Sequence, residues 1–229
     1  MIDLRLGEKL FSGSTPCLLC AAANYAVVPP LDEHGYHAMV CTVGLGATRR
    51  HNALQNVLFA VLKQSPLCLH VTGELTFPSQ QHLPEVQQQR MDLLIDDTRF
   101  NRRPVRLDIT VVSPHNDSFL TYASKEAAGA ARPAEAQKRT KYDALCATNG
   151  TSFNPIGFDV QGGAGPAGKL FFRRLAEYTS SVRGSKPGTE YHTILLRVER
   201  TVLQLTAAAV NRRLLSSPQG PTGTPAHPV

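Results

Sequence analysis

The chain has 229 residues, 42% hydrophobic and 18% charged, enough to bury a core in one compact domain with a small attached module and too little for two large domains. Lysine and arginine number 24 against 18 acidic residues, and the resulting charge of +6 favours a polyanionic partner, with nucleic acid the first class to consider. Five unevenly placed cysteines do not make a disulfide scaffold, the opening MIDLRLGEKLF lacks a signal-peptide core, and CLLCAAANYAVV is too short to span a bilayer, so a secreted or membrane protein is disfavoured.

Residues 1–48 are punctuated by glycine and proline and have too little apolar pattern for a core of their own, so they need a staple. Cys17-x2-Cys20, followed after sixteen intervening residues by His37-x3-Cys41, supplies four soft or borderline ligands in the paired spacing of a tetrahedral zinc site. The turn residues of VVPPLDEHGY bring the second pair back to the first. His34 is an alternative third ligand with a less usual spacing to Cys41, and the plain alternative is that these cysteines are small core residues. Cys68 and Cys146 read as core.

From Arg49 the pattern changes. RRHNALQNVLFAVLKQ places Leu54, Val57, Leu58, Val61 and Leu62 at helical spacing. Three strand-like runs follow, Cys68–Phe77, Arg90–Asp96 and Val105–Val112, joined by hairpin-length connections, the second across TRFNRR. An alanine-rich helical segment follows Phe119, with Pro133 in the first turn of a helix to about Cys146. Ser152–Val160 reads as a fourth strand, GGAGPAG as a loop, Lys169–Ser181 and Thr189–Leu215 as helices, and SSPQGPTGTPAHPV as a disordered tail. Helix, three strands, helix, strand, helix is an α/β arrangement whose small sheet is part antiparallel and part parallel. The last helix carries a stripe of Leu195, Val198, Val202, Leu205 and Ala209 that is expected to pack on the main domain.

Alternation in RLDITVV sets Leu107, Ile109 and Val111 on one face and Arg106, Asp108, Thr110 and Val112 on the other; in RMDLLID it sets Met91, Leu93 and Ile95 against Asp92. Two aspartates on hairpin-linked strands then lie side by side as a hard-oxygen site for Mg²⁺, able to activate a water on a phosphodiester. The crossover helix offers Lys138 and Lys141 on one face at i, i+3, with Glu135 and Tyr142 nearby. The plain alternatives are a solvated basic helix face and ordinary exposed strand residues.

The runs PCLLC, DEHGYHAMVC, RRHNALQNVL, RMDLLI, RLDITVVSP and AQKRTKYDAL, with the strand before the Gly-Gly loop, resemble the C-terminal region of non-LTR retrotransposon reverse-transcriptase polyproteins over roughly residues 5–180. In that family a Cys-Cys-His-Cys knuckle precedes a restriction-enzyme-like endonuclease. The resemblance implies a PD-(D/E)XK nuclease with an αβββαβ core that nicks target DNA to prime reverse transcription. It implies a zinc knuckle over residues 1–48, the nuclease over 49–182, a helical extension over 183–215 and a tail over 216–229.

Carried over residue by residue, Cys17, Cys20, His37 and Cys41 would hold structural zinc. Asp92 and Asp108 would hold catalytic Mg²⁺ or Mn²⁺, Lys138 and Lys141 would act with them, and Arg49, Arg50 and His51 would touch the phosphate backbone, the alternative for that stretch being a helix start. Glu74 is a further, less supported carboxylate. Met91 stands where the family has proline, which offers no ligand. Thr110 stands where a lysine usually follows the second acidic residue, so the lysine must come from the helix. The implied partners are DNA, the element's RNA and the reverse transcriptase domain, in the nucleus; no Tyr-x-Asp-Asp motif of that transcriptase occurs in the chain. The alternative, which Thr110 and Met91 keep open, is a catalytically inactive nucleic-acid-binding remnant. A small-metabolite α/β enzyme is disfavoured because GGAGPAG lacks the acidic partner of a dinucleotide fingerprint.

Overall fold

The computed structural model describes residues 9–11, 15–24, 26–41, 43, 46–65, 70–82, 84 and 89–215. Cys68 and the tail over 216–229 lie outside them. A two-residue ladder, β1 (Thr15–Pro16) with β2 (Pro30–Leu31), folds the N-terminal segment back on itself, and the one-turn helices α1 (Leu18–Ala22) and α2 (Tyr36–Val40) follow the two strands. Gly35, at the start of α2, takes φ +74, and a Cβ there would meet Leu10 Cδ1 at 3.1 Å and Phe11 Cε2 at 3.2 Å, so glycine is required by both dihedral and space.

Helix α3 (Gly46–Lys63) starts three residues before the expected Arg49 and buries Leu54, Leu58 and Leu62. The sheet has the order β3 (Val71–Thr76), β4 (Arg90–Ile95), β5 (Val105–Val112), β6 (Ser152–Asp159), with β6 parallel to β5 and the other pairs antiparallel. This is the mixed α/β sheet expected from the chain order. In the β4–β5 hairpin the Asp97 carboxylate accepts the Arg99 backbone N–H and side-chain Nε–H, both at 2.9 Å, which fixes the turn.

After β5 come α4 (Asp117–Ala123), capped by the Asn116 side chain on the Ser118 amide, and α5 (Ala131–Thr148), the crossover to β6. Helices α6 (Pro166–Arg183) and α7 (Pro187–Leu215) complete the described residues. None of the described helices is long and apolar enough to cross a membrane. The main core joins Leu54 and Leu58 of α3, Leu93, Leu107, Ile156 and Phe158 of the sheet, Phe172 of α6, and Val198 and Val202 of α7. Each such side chain contributes about 1.5–3 kcal/mol on leaving water. The expected stripe of α7 therefore packs on the domain, shifted slightly: the buried apolar residues are Ile194, Val198, Val202, Ala209 and Val210.

Helix α5 covers the opposite face of the sheet, where Tyr142 and Cys146 pack with Phe77, Met91 and Phe153. Asp108 is consequently buried, and Arg106 is buried with its guanidinium 4.3 Å from the Phe77 ring. The half-polar face expected for β5 is thus roofed by a helix. Glu135, expected beside the lysines, serves a different purpose. Its buried carboxylate accepts the amides of Gly157, Ala167 and Gly168 at 3.1, 2.9 and 3.0 Å and so closes the N-terminus of α6. A Cβ on Gly165 would come within 2.6 Å of Glu135 Cδ, which explains a glycine in that loop.

The N-terminal segment shares a core with the rest of the chain. Phe11, Cys17, Cys20, Leu31, Met39 and Cys41 cluster with Val160, just after β6, and Val210 of α7. The small module is docked through these contacts.

Candidate metal centre and acidic cleft

Local geometry converges the four ligands. Cys17 donates its N–H to the Pro29 carbonyl at 3.1 Å beside the β1–β2 ladder, α1 then returns Cys20 to the same side, and α2 places His37 and Cys41 one turn apart. Asp32 holds the start of α2, accepting the amides of Tyr36 and His37 at 2.8 and 2.7 Å.

The ligating atoms of Cys17, Cys20, His37 and Cys41 all lie within 4.8 Å of one another. Cys20 Sγ is 3.5 Å from His37 Nε2 and 3.6 Å from Cys41 Sγ. Bonds of about 2.0–2.3 Å to a tetrahedral zinc place neighbouring ligand atoms roughly 3.3–3.8 Å apart, so the set fits a metal such as zinc. Burial, with Cys41 and Cys17 alongside, pushes the Cys20 thiol up to about 12. Burial also raises Cys41, but the Arg213 guanidinium and Cys20 outweigh it and hold that thiol below its usual value. Burial, then the charge of Arg213, lowers His37, favouring the neutral imidazole that ligates metal. His34 stands outside the cluster, its ring 5.5 Å from that of Tyr36.

The acidic residues are assembled where β4 and β5 part. The ladder pairs Leu93, Leu94 and Ile95 with Leu107, Arg106 and Val105. One step further, the Ile109 amide donates to the Asp92 carboxylate at 2.5 Å instead of to a β4 carbonyl. Helix α3 grips the same residue at i, i+4 spacing: His51 Nε2 lies 3.0 Å from Asp92 Oδ1, and the Gln55 amide donates to the Asp92 carbonyl at 2.9 Å. The strand turns at this point, because Met91 joins the α5-side cluster while Leu93 and Ile95 stay in the main core. The expected single face for Met91, Leu93 and Ile95 is therefore split.

Asp108 sits on β5 with its side chain 7% exposed, and Lys138 Nζ reaches its Oδ2 at 2.7 Å from α5. Burial raises the Asp108 pKa, the ammonium of Lys138 opposes the shift without cancelling it, and the Asp92 charge adds to it. Burial works against the His51 imidazolium, but hydrogen bonding to Asp92 is the larger effect and raises its pKa. Ala47, Thr48, Arg50 and His51 of α3, Asp108 to Val111 of β5 and Lys138 line an open cleft of about 390 Å³.

The expected residues thus separate. Asp92, Asp108, Lys138 and His51 come together. Lys141 is exposed, its ammonium 4.7 Å from the Tyr142 ring and in no ion pair with a carboxylate among the described residues, because it lies one helical turn further along α5 than Lys138. Arg49, Arg50 and His51, expected as one basic stretch, diverge by the 100° step of the helix: Arg49 is exposed, Arg50 is 5% exposed at the cleft wall, and His51 holds Asp92. Nε and Nη1 of Arg50 have no hydrogen-bond partner. Glu74 is exposed on β3 with φ +42.

Among the described residues, the groups that converge on a metal position are the three cysteines and His37 alone; the cleft carboxylates are taken up by His51, Lys138 and a backbone amide. Sequence reasoning missed Arg213, whose guanidinium donates to the carbonyls of Cys41 and Val43, both at 3.4 Å, from the end of α7. The signal was present, since Arg213 lies four residues beyond Ala209 and continues the buried stripe. Compared with family models and with curated proteins, the chain finds no match.

Proposed function

We propose that the chain is a divalent-metal-dependent DNA endonuclease with a restriction-endonuclease-like core, of the kind found in non-LTR retrotransposons, carrying a structural zinc knuckle. The observation that carries this reading is the buried Asp108, ion-paired to Lys138 beside an open cleft, with Asp92 held next to it by His51 and Gln55. A carboxylate whose pKa is raised by burial works against stability at neutral pH, and such groups concentrate at sites of chemistry. The lysine that Thr110 fails to supply is supplied by α5.

A Mg²⁺ or Mn²⁺ ion bound by Asp92 and Asp108 would polarise a scissile phosphate and acidify a water. Asp108 holds Lys138 at the cleft, where its ammonium orients an attacking water and offsets developing charge. Arg50, whose Nε and Nη1 have no hydrogen-bond partner, lines the cleft, where its positive charge would attract a phosphate. DNA is the expected substrate, the element's RNA and its reverse transcriptase the expected partners, and the nucleus the expected location.

A second reading, a nucleic-acid-binding remnant without cleavage, draws on the protein groups that contact each carboxylate, His51 and the Ile109 amide at Asp92 and Lys138 at Asp108. Nicking of supercoiled plasmid by the purified chain with Mg²⁺ or Mn²⁺, beside EDTA and Asp108→Ala, separates the two. Metal-dependent nicking lost by about 10³-fold or more in Asp108→Ala establishes the nuclease. A DNA gel shift without nicking establishes the remnant.

A further inference from the structure

Arg213 is a buried cation with no carboxylate partner among the described residues. It is 4% exposed, Nη1 donates to Ala209 O at 2.7 Å within its own helix, and Nη2 donates to the carbonyls of Cys41 and Val43, while Nε has no partner. Its charge acts on the metal-ligating Cys41 and His37 and on Arg50, a like charge. A buried guanidinium with no counterion is costly.

Zinc loading changes that balance. Three thiolates and a neutral imidazole around one divalent ion leave a single negative charge in a pocket where Cys17, Cys20 and Cys41 are buried, and Arg213 stands against it. The guanidinium also fixes the turn after Cys41 through two carbonyls, and Val210, one turn before it, belongs to the knuckle's apolar cluster.

We propose that Arg213 is a positioning residue of the metal centre, so that metal loading and docking of the last turns of α7 form one linked equilibrium. The proposal rests on the metal-centre reading and is independent of DNA cleavage. Linkage is reciprocal: the factor by which zinc tightens the helix end equals the factor by which the docked arginine tightens zinc.

The test uses the full chain. Hydrogen exchange of the amides over 205–213 is measured with zinc and after chelation, and zinc affinity is measured by competition with a chromophoric chelator for the wild type, Arg213→Met and Arg213→Lys. Outer partners of metal ligands typically carry about 10–100-fold in affinity, and Arg213→Met is expected to lose that much. Chelation should speed exchange over 205–213 by a similar factor while leaving α5 unchanged. Arg213→Lys, which keeps the charge but not the fork, should recover part of the loss.

Zinc affinity of Arg213→Met within twofold of wild type, or exchange at the end of α7 that ignores zinc, would overturn the proposal. Should Arg213→Met not fold, the wild-type exchange comparison decides by itself. A wild-type chain that binds no zinc would sink the metal centre too, an outcome distinct from zinc binding that does not need Arg213.

Discussion

The knuckle and the cleft meet the same problem, groups that metals want, in opposite ways. In the knuckle, three buried cysteines and His37 converge in a small apolar space, which thiols and a neutral imidazole share at little electrostatic cost. In the cleft, two carboxylates lie close together and their like charges repel, so each meets protein donors: Asp92 takes His51 and the Ile109 amide, and Asp108 takes Lys138. The soft ligands are therefore legible as a cluster, whereas each cleft carboxylate is met by protein donors instead of by a second carboxylate.

The most severe way to break this contrast is Cys20→Ser. Structural zinc is worth roughly 10–16 kcal/mol in small modules, and losing a central thiolate should forfeit several of those. Zinc stoichiometry should fall, and protease cleavage within residues 20–43 should match that of the chelated wild type.

Next comes the lysine pair. Lys138→Ala should reduce plasmid nicking by about 10²-fold or more, and Lys141→Ala should stay within about twofold, since only Lys138 touches a carboxylate. Lys138→Ala should also destabilise by about 1–3 kcal/mol, below the figure for a fully buried pair because Lys138 is 30% exposed; adding Asp108→Asn should restore the loss in a urea titration.

The smallest effect is in pH. The folded pKa of His51 lies above its ordinary 6.5, so the stability it adds is fully present below about 6.5 and is lost as pH rises through the folded value. At most about 1 kcal/mol is at stake, because the ring is 35% exposed to screening solvent. Urea midpoints across pH 5.5–8.5 should show the decline in the wild type and not in His51→Gln.

Much of the fold and part of the site could be read from local pattern. Leu54, Leu58 and Leu62 marked α3, alternation marked β5 to the residue, and the order of elements implied one parallel pair in an otherwise antiparallel sheet. The four knuckle ligands were legible because a tetrahedral site needs two short-spaced pairs and the spacing is written in the chain. The faces of β4 were less legible. Period-two alternation assumes a regular strand, and β4 turns at Asp92, where its ladder with β5 gives way to side-chain contacts.

What the sequence determined by itself is whatever depends on neighbours within a turn or two: element type, ligand pairs, and which helix residues share a stripe. Tertiary structure alone decided that His51 and Gln55 hold Asp92, that Lys138 and not Lys141 meets Asp108, that Glu135 closes α6, and that Arg213 reaches the knuckle. Those pairings join residues brought together by how α3 and α5 cross the sheet and by how α7 packs on α2, α3 and α6. A side chain's partner is then set by a crossing angle and a rise of 1.5 Å per residue, quantities that periodicity in one element does not contain.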